Sequence, residues 1–195
     1  MKYPVQIQEK FDLYSQILRT WQSKMNLVAP STLNDVQRRH IDDSAQLADY
    51  LPKNVTVLDM GSGAGFPSVV LAILGWQVIA IESIRKKTIF LEEVKSKLNL
   101  KNLKIINDRV ENYLKQIKNS EKETIIFTAR AFAPLINILD YIAAFASSAY
   151  LLKGAGIQQE IITAQEKYNF NYTLFPSTTG DGFIIKIDHL RPRRK

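Results

Sequence analysis

The segment Val57-Leu58-Asp59-Met60-Gly61-Ser62-Gly63-Ala64-Gly65-Phe66-Pro67 runs an apolar stretch directly into three glycines at alternate positions. Glycine adopts backbone conformations closed to other residues and has no side chain, so such a turn lets a ligand approach the main chain closely. Glu82 follows at the end of the next apolar run, 21 positions after Gly61. An acidic side chain at that spacing can accept hydrogen bonds from both hydroxyls of a ribose. The chemistry on offer is the holding of a nucleotide-like ligand where a strand turns into a helix.

Two ligand classes share this geometry. A dinucleotide site wants G-x-G-x-x-G, with pyrophosphate held at the helix N-terminus. Here the third glycine comes one residue early, at Gly65, and bulky Phe66 stands at the dinucleotide position. The spacing disfavours a nicotinamide cofactor. S-adenosylmethionine, an adenosyl ligand without phosphates, needs the turn and the ribose carboxylate but no pyrophosphate cradle. Further polar residues fall at the ends of later apolar runs: Asn107, Asp108 and Arg109, then Arg130, then Lys153. Asp108 or Glu111 suits an adenine amino group, and Arg130 suits a methionine carboxylate or an RNA phosphate. Each taken alone reads equally well as a solvated charge at a helix start; their common position favours a ligand crevice.

The elements that must carry these residues are legible as alternating short β-branched runs and helical patterns, the mark of βαβ units around a parallel sheet. Strands are expected at Val55–Asp59, Gln77–Glu82, Leu103–Asn107, Thr124–Thr128 and Ala149–Leu152, with helices near Ser68–Leu74, Ile84–Leu98, Val110–Ile117 and Pro134–Phe145. Tyr172–Phe175 and Phe183–Ile187 read as an antiparallel pair closing the sheet. Ahead of the sheet, Phe11, Tyr14, Leu18, Trp21 and Met25 form one apolar stripe at helical spacing, with Asn26 as its expected left-handed cap. A second helical pattern carries Val36, Ile41, Ala45, Ala48 and Leu51. The 195 residues thus divide into N-terminal helices (1–52), an α/β core (53–190) and a basic tail (191–195) of a single domain.

Composition narrows the function. Hydrophobic residues make up 46% and charged residues 23%, which excludes a disordered or low-complexity chain. Cysteine is absent, so disulfides, thiolate metal sites and every sulfur nucleophile are excluded. The first ten residues have no apolar signal segment, and the apolar stretch Ala131–Leu152 is interrupted by Pro134, Asn137 and Asp140; a cytoplasmic protein with no membrane span is expected. The net charge is +7, and Arg191, Arg193, Arg194 and Lys195 supply four of the positive charges. A phosphate-rich partner and a merely solubilising tail both account for that concentration.

The motifs resemble a known family along nearly the whole chain. Asp59-x-Gly61-x-Gly63-x-Gly65 is similar to the first motif of class I S-adenosylmethionine methyltransferases. More specific are Trp21-x-x-Lys24-x-Asn26-Leu27, Arg39-His40-Ile41-x-Asp43-Ser44, Gly65-Phe66-Pro67, Glu82-Ser83 with Lys86-Lys87 and Phe90-Leu91, Arg109-Val110-Glu111, Arg130-Ala131 and Leu152-Lys153-Gly154. In that order they resemble the bacterial small-subunit (16S) ribosomal RNA guanine-N7 methyltransferases, the glucose-inhibited division protein B family. The resemblance implies a doubly wound, mostly parallel sheet with an N-terminal helical extension and an antiparallel C-terminal strand pair. It implies S-adenosylmethionine as cofactor, ribosomal RNA in the small subunit or an assembly intermediate as partner, and a monomer. Gly61, Gly63, Phe66, Glu82, Val110, Glu111 and Arg130 would be cofactor positions, with Arg130, Lys153 and His40 as substrate contacts and no metal. Two positions depart from the family pattern: Ser68 stands where glycine is common, and Gly180-Asp181-Gly182 replaces a turn that often carries arginine.

The absent residues agree with this chemistry. Carbon-5 of a pyrimidine needs a covalent cysteine, and exocyclic amines are commonly methylated beside an Asn/Asp-Pro-Pro-aromatic motif, where this chain has Ala129-Arg130-Ala131-Phe132. Guanine N7 has a free lone pair and asks for alignment, with no general base. His40, with Asp43 three residues on, reads first as a packing residue and Trp21 as core. Phe66 and Phe132 are either packed or placed to flank a splayed-out base. A nicotinamide oxidoreductase and a non-catalytic nucleic-acid-binding protein are the competing readings.

Overall fold

The computed structural model describes residues 3–118, 124–145 and 148–193. One sheet of seven strands organises the described chain: β1 (Thr56–Met60), β2 (Gln77–Ile81), β3 (Leu103–Ile106), β4 (Ile125–Arg130), β5 (Ala149–Lys153), β6 (Tyr168–Pro176) and β7 (Phe183–Pro192). Their order is β3-β2-β1-β4-β5-β7-β6. The first five are parallel, and β7 pairs antiparallel with both β5 and β6. The expected doubly wound sheet with its antiparallel C-terminal pair is what forms. Strand order reverses between β1 and β4, so a crevice opens at their carboxyl ends.

Helices cover both faces. The long α1 (Val5–Gln22) lays the predicted stripe, Phe11, Tyr14 and Leu18, into the core at 0% exposure. A run of short helical pieces follows: Pro30–Asp35, the π-helix Gln37–Asp42, α2 (Asp43–Ala45) and Gln46–Asp49. Beyond β1 come α3 (Ser68–Ile73), α4 (Arg85–Lys97), α5 (Val110–Gln116), α6 (Leu135–Ile142) and α7 (Ile157–Lys167). The N-terminal helices, α3 and α4 share one core cluster, while α5, α6 and α7 share another with the inner residues of β4, β5 and β7. Among the described residues no helix is long and apolar enough to cross a membrane.

Three expectations need correction. Asn26 is not a left-handed cap, being absent from the residues of positive φ; α1 stops at Gln22, and Gln22 Oε1 accepts from the Leu27 and Val28 N–H groups to turn the chain. Helix α7 was not expected at all, although Ile157, Ile161 and Ala164 recur at helical spacing and are its buried residues. Finally, Arg191 does not belong to a loose tail. It sits in β7 opposite Asn169, and Arg193 donates from its main-chain nitrogen to the Lys167 carbonyl. Arg194 and Lys195 lie outside the described residues.

Candidate active site

The glycine turn is built as its residue types require. Gly61, Gly63 and Gly65 have φ of 71°, 56° and 88°, the left-handed region that glycine enters without cost. A Cβ at Gly65 would lie 2.5 Å from Val69 Cγ2 and 2.9 Å from the Tyr14 hydroxyl oxygen, so the early third glycine lets α1 pack down on the turn. The Tyr14 hydroxyl donates to the Ala64 carbonyl. This contact ties the N-terminal extension to the loop.

Glu82 is 6% exposed, and its carboxylate is held from two sides. Oε2 accepts from the Gly63 N–H at 2.9 Å and Oε1 from the Ile84 N–H at 2.8 Å. A carboxylate has about four lone-pair sites, so acceptor capacity remains for two further donors. Asn107, expected only as a polar residue at a strand end, donates from Nδ2 to the carbonyls of Glu82 (3.0 Å) and Ser83 (3.1 Å) and locks the tips of β2 and β3 together.

Above these tips lies a cleft of about 1200 Å³. Gly61, Gly63, Phe66, Glu82, Val110, Glu111, Arg130, Lys153 and His40 all line it, so the residues predicted from sequence converge on one space. Val110 is buried at the start of α5. Glu111 pairs with Arg109 at 3.3 Å in the open; its carboxyl is held below the ordinary value first by a hydrogen bond to its own backbone and then by Arg109. Asp108 also lines the cleft, with Oδ1 accepting from the Arg109 N–H at 2.7 Å.

Three residues present less free chemistry than the sequence suggests. Arg130 donates from Nε to Asp43 Oδ2 at 2.8 Å, from Nη1 to His40 Nδ1 at 3.1 Å and from Nη2 to the Arg39 carbonyl at 2.8 Å. Three of its five donors therefore clasp the N-terminal extension. His40 gives its other nitrogen to Thr32 Oγ1 at 2.7 Å and stacks on Phe66 at 4.9 Å. An arginine at Nδ1 forces that nitrogen to accept. Burial, with Arg130 next in importance, pushes the imidazole down to about 4. His40 is thus neutral at pH 7, with its lone pair already engaged. Lys153 donates to Glu160 Oε2 at 2.6 Å and to the Ala133 carbonyl at 3.0 Å, with its side chain 9% exposed. Glu160, which sequence reasoning missed, also accepts from the Leu135 N–H at 2.6 Å and so orders the start of α6.

Asp43 completes the rim. Besides Arg130, it accepts from Thr179 Oγ1 at 2.7 Å and Gln46 Nε2 at 3.1 Å, binding the extension to the β6–β7 turn. That turn also explains one departure: a Cβ at Gly182 would lie 2.5 Å from the Lys153 carbonyl oxygen. Phe66 packs, while Phe132 is half-buried at the cleft and lies against Gly61, where a Cβ would come within 2.2 Å of its ring. Ala131, between Arg130 and Phe132, has φ of 51°. This costly conformation turns the chain directly after β4.

Beneath the turn, Asp59 is fully buried; Ser62 and Ser68 stand near its carboxylate, but neither oxygen has a well-formed hydrogen bond among the described residues. The same holds for Ser68 Oγ and for Thr128 Oγ1, which lies opposite Asp59 in the β1–β4 register. Burial pushes the Asp59 carboxyl up to about 6, against the lowering influence of Ser62 and Ser68.

Solved structures share the fold. A SAM dependent methyltransferase from Aquifex aeolicus matches with a TM-score of 0.59 at 14% identity, covering 89% of this chain and 97% of that one. The O-methyltransferase from Bacillus cereus in complex with SAH matches at 0.59 and 15% identity, covering 95% and 91%. Sequence comparison goes further. A ribosomal RNA small subunit methyltransferase G from Rickettsia prowazekii is 36% identical over 195 residues, covering 97% of this chain and 98% of the relative. Its counterpart from Orientia tsutsugamushi is 42% identical over 183 residues, covering 91% and 88%. The family described as GidB, rRNA small subunit methyltransferase G, matches residues 7–179, from α1 through β6, and the chain belongs to that family.

Proposed function

We propose that this protein transfers a methyl group from S-adenosylmethionine to N7 of a guanine in small-subunit ribosomal RNA. The observation that carries the reading is the convergence of the glycine turn, the oriented Glu82 carboxylate and the strand-end residues on one cleft at the sheet's reversal point, with no pyrophosphate spacing in the turn. The residues fit the cofactor. Glu82 has lone pairs left for the ribose hydroxyls, Gly61 and Gly63 leave the backbone bare for the adenosyl group, and Val110 and Glu111 flank the adenine end. The sulfonium supplies an electrophilic methyl group.

The chain's own part is alignment. Guanine N7 has no proton to lose, so no side chain need act as a base. The engaged lone pair and low value of His40 agree with that demand. Arg130 serves as a positioning residue, fixing the helical run and the β6–β7 turn around the entrance through Asp43. Phe132 offers an aromatic face beside Gly61 for the acceptor base. Arg85, Lys86 and Arg109 stand exposed near the mouth, and Lys87 lines it, placed for backbone phosphates. The protein acts as a single cytoplasmic domain, monomeric, on the small subunit or an assembly intermediate; the ribosomal RNA named for its relatives and the exposed basic mouth support the RNA partner.

The test is incubation of the protein with labelled S-adenosylmethionine and, separately, naked small-subunit rRNA and assembled subunits, followed by mapping of the modified nucleotide. N7-methylguanosine at one position is expected. Label on an exocyclic amine or a ribose would overturn the choice of acceptor, and no transfer to any of these RNAs would overturn the reading.

A further inference from the structure

The β6–β7 hairpin reaches past the rest of the sheet. Its pairing with β5 ends at Ala149 opposite Ile187, and from Asp188 to Pro192 β7 pairs only with β6. A ribbon of two strands is marginal by itself. This one is pinned by Tyr168, whose hydroxyl donates to Asp140 Oδ1 at 2.5 Å, by Lys167 on the same carboxylate at 2.7 Å, and by the Arg193 N–H on the Lys167 carbonyl. Its turn end lines the catalytic cleft. Its other end lies seven strand positions away, about 25 Å at ~3.4 Å per residue.

At that far end the register shifts between Asn169 and Asn171, and His189 takes a left-handed φ of 55°. Such bulges re-aim side chains. Here an open pocket of about 470 Å³ results, lined by Asn169, Phe170, Asn171, His189 and Arg191. The set contains two carboxamides, two aromatic rings and a guanidinium, and no carboxylate. The Asn171 and Arg191 side chains make no hydrogen bond or ion pair among the described residues. Arg193, beside them, donates to Asn169 Oδ1 at 3.1 Å, and Arg194 and Lys195 follow directly in the sequence. Tyr172, 41% exposed, lies 6.1 Å from Phe170.

We propose that this pocket is a second RNA-binding site, remote from the cleft, which takes an unpaired nucleotide of the same rRNA whose guanine enters the catalytic centre. The Phe170 and His189 rings suit the faces of an unstacked base, the asparagine carboxamides its hydrogen-bonding edge, and Arg191 and Arg193 the flanking phosphates. Charge argues for this occupant: Arg191 lines the pocket, Arg193 bonds to its Asn169, and four of the last five residues of the sequence are basic. A contact about 25 Å from the chemistry also lets the enzyme measure the folded shape of a large RNA. The proposal rests on the reading of the chain as an rRNA enzyme, but its test does not depend on which atom is methylated.

The probe is a full small-subunit rRNA transcript, with the full-length protein titrated at several salt concentrations. In Asn171→Ala/Arg191→Glu, the dissociation constant should rise at least about tenfold, and the slope of log affinity against log salt should fall by about 0.7 for the lost phosphate contact. Cofactor affinity and turnover at saturating RNA should remain within about twofold. Lys101→Glu, at the opposite edge of the sheet, should leave RNA affinity nearly unchanged. Photo-crosslinking of a 4-thiouridine transcript should label a peptide from residues 168–193. Unchanged affinity and slope in the double variant, or an equal loss in Lys101→Glu, would overturn the proposal. Failure of the wild type to methylate guanine N7 would instead remove the catalytic reading and leave the binding comparison standing.

Discussion

Asp59 gives the most quantitative test of the turn's foundation. Its carboxyl rises from 3.8 to about 6 because full burial outweighs the lowering influence of Ser62 and Ser68. Below pH 3.8 the group is neutral in both folded and unfolded chains, and it costs nothing. Between pH 3.8 and 6 the unfolded carboxyl ionises while the folded one keeps its proton, so stability is lost as pH rises. Above pH 6 both are charged and the loss is complete. Two pH units at 1.36 kcal/mol each correspond to about 3 kcal/mol. Asp59→Asn keeps the shape and removes the titration. The wild type should therefore lose about 3 kcal/mol relative to the variant between pH 3 and pH 7.5. With a urea m-value of ~2 kcal/mol/M, the difference between their midpoints should change by about 1.5 M. Asp140 and Asp188 titrate with the opposite sign, their carboxyls being held down by Lys167 and Lys186 respectively, but they are common to both proteins and cancel. Urea melts of both proteins at half-unit pH steps supply the measurement. A midpoint difference that stays constant with pH would refute the raised value of this carboxyl.

Glu82→Ala should weaken S-adenosylmethionine binding ten- to hundred-fold, the cost of losing hydrogen bonds to a charged group at about 1.5–3 kcal/mol; calorimetry that finds the wild-type constant would remove Glu82 from the site. Single-turnover methylation at saturating cofactor and RNA should be nearly flat from about pH 6 to 9, because His40 lies at about 4 and its lone pair faces Arg130. A steep limb near pH 6.5 that vanishes in His40→Ala would mean that this imidazole takes a proton in the reaction. Lys153→Met should cost about 1–2 kcal/mol, since Glu160 loses its cation but is partly exposed and keeps the Leu135 N–H; thermal melts that shift by less than ~2 °C would show the pair to be well solvated. Arg130→Lys should leave cofactor affinity within threefold and lower turnover more strongly, since a lysine cannot hold Asp43, His40 and the Arg39 carbonyl together. A tenfold loss of cofactor affinity in the same variant would make Arg130 a direct ligand.

The sequence alone determined the features whose physics is local. The glycines of 61–65 are legible because a left-handed turn selects that residue. Glu82 is legible because strand and helix lengths fix how far the next strand tip lies from the first. Alternating β-branched and helical runs announced the parallel sheet and its closing hairpin, with boundaries within a few residues in the core. Helix α7 escaped because its pattern rests on only three buried positions, and the ends of β6 and β7 because their edge faces solvent, so no alternation marks them. What the tertiary structure decided is which polar groups spend their hydrogen bonds on one another. Arg130 meets Asp43 across 87 residues and His40 across 90, and Lys153 finds Glu160 only because α7 folds back beside β5 and α6. A side chain's type limits what it can bind. Whether it is free to do so depends on how separate layers of the fold come together, because a charged or polar group taken out of water is driven to whichever partner the packing brings within about 3 Å.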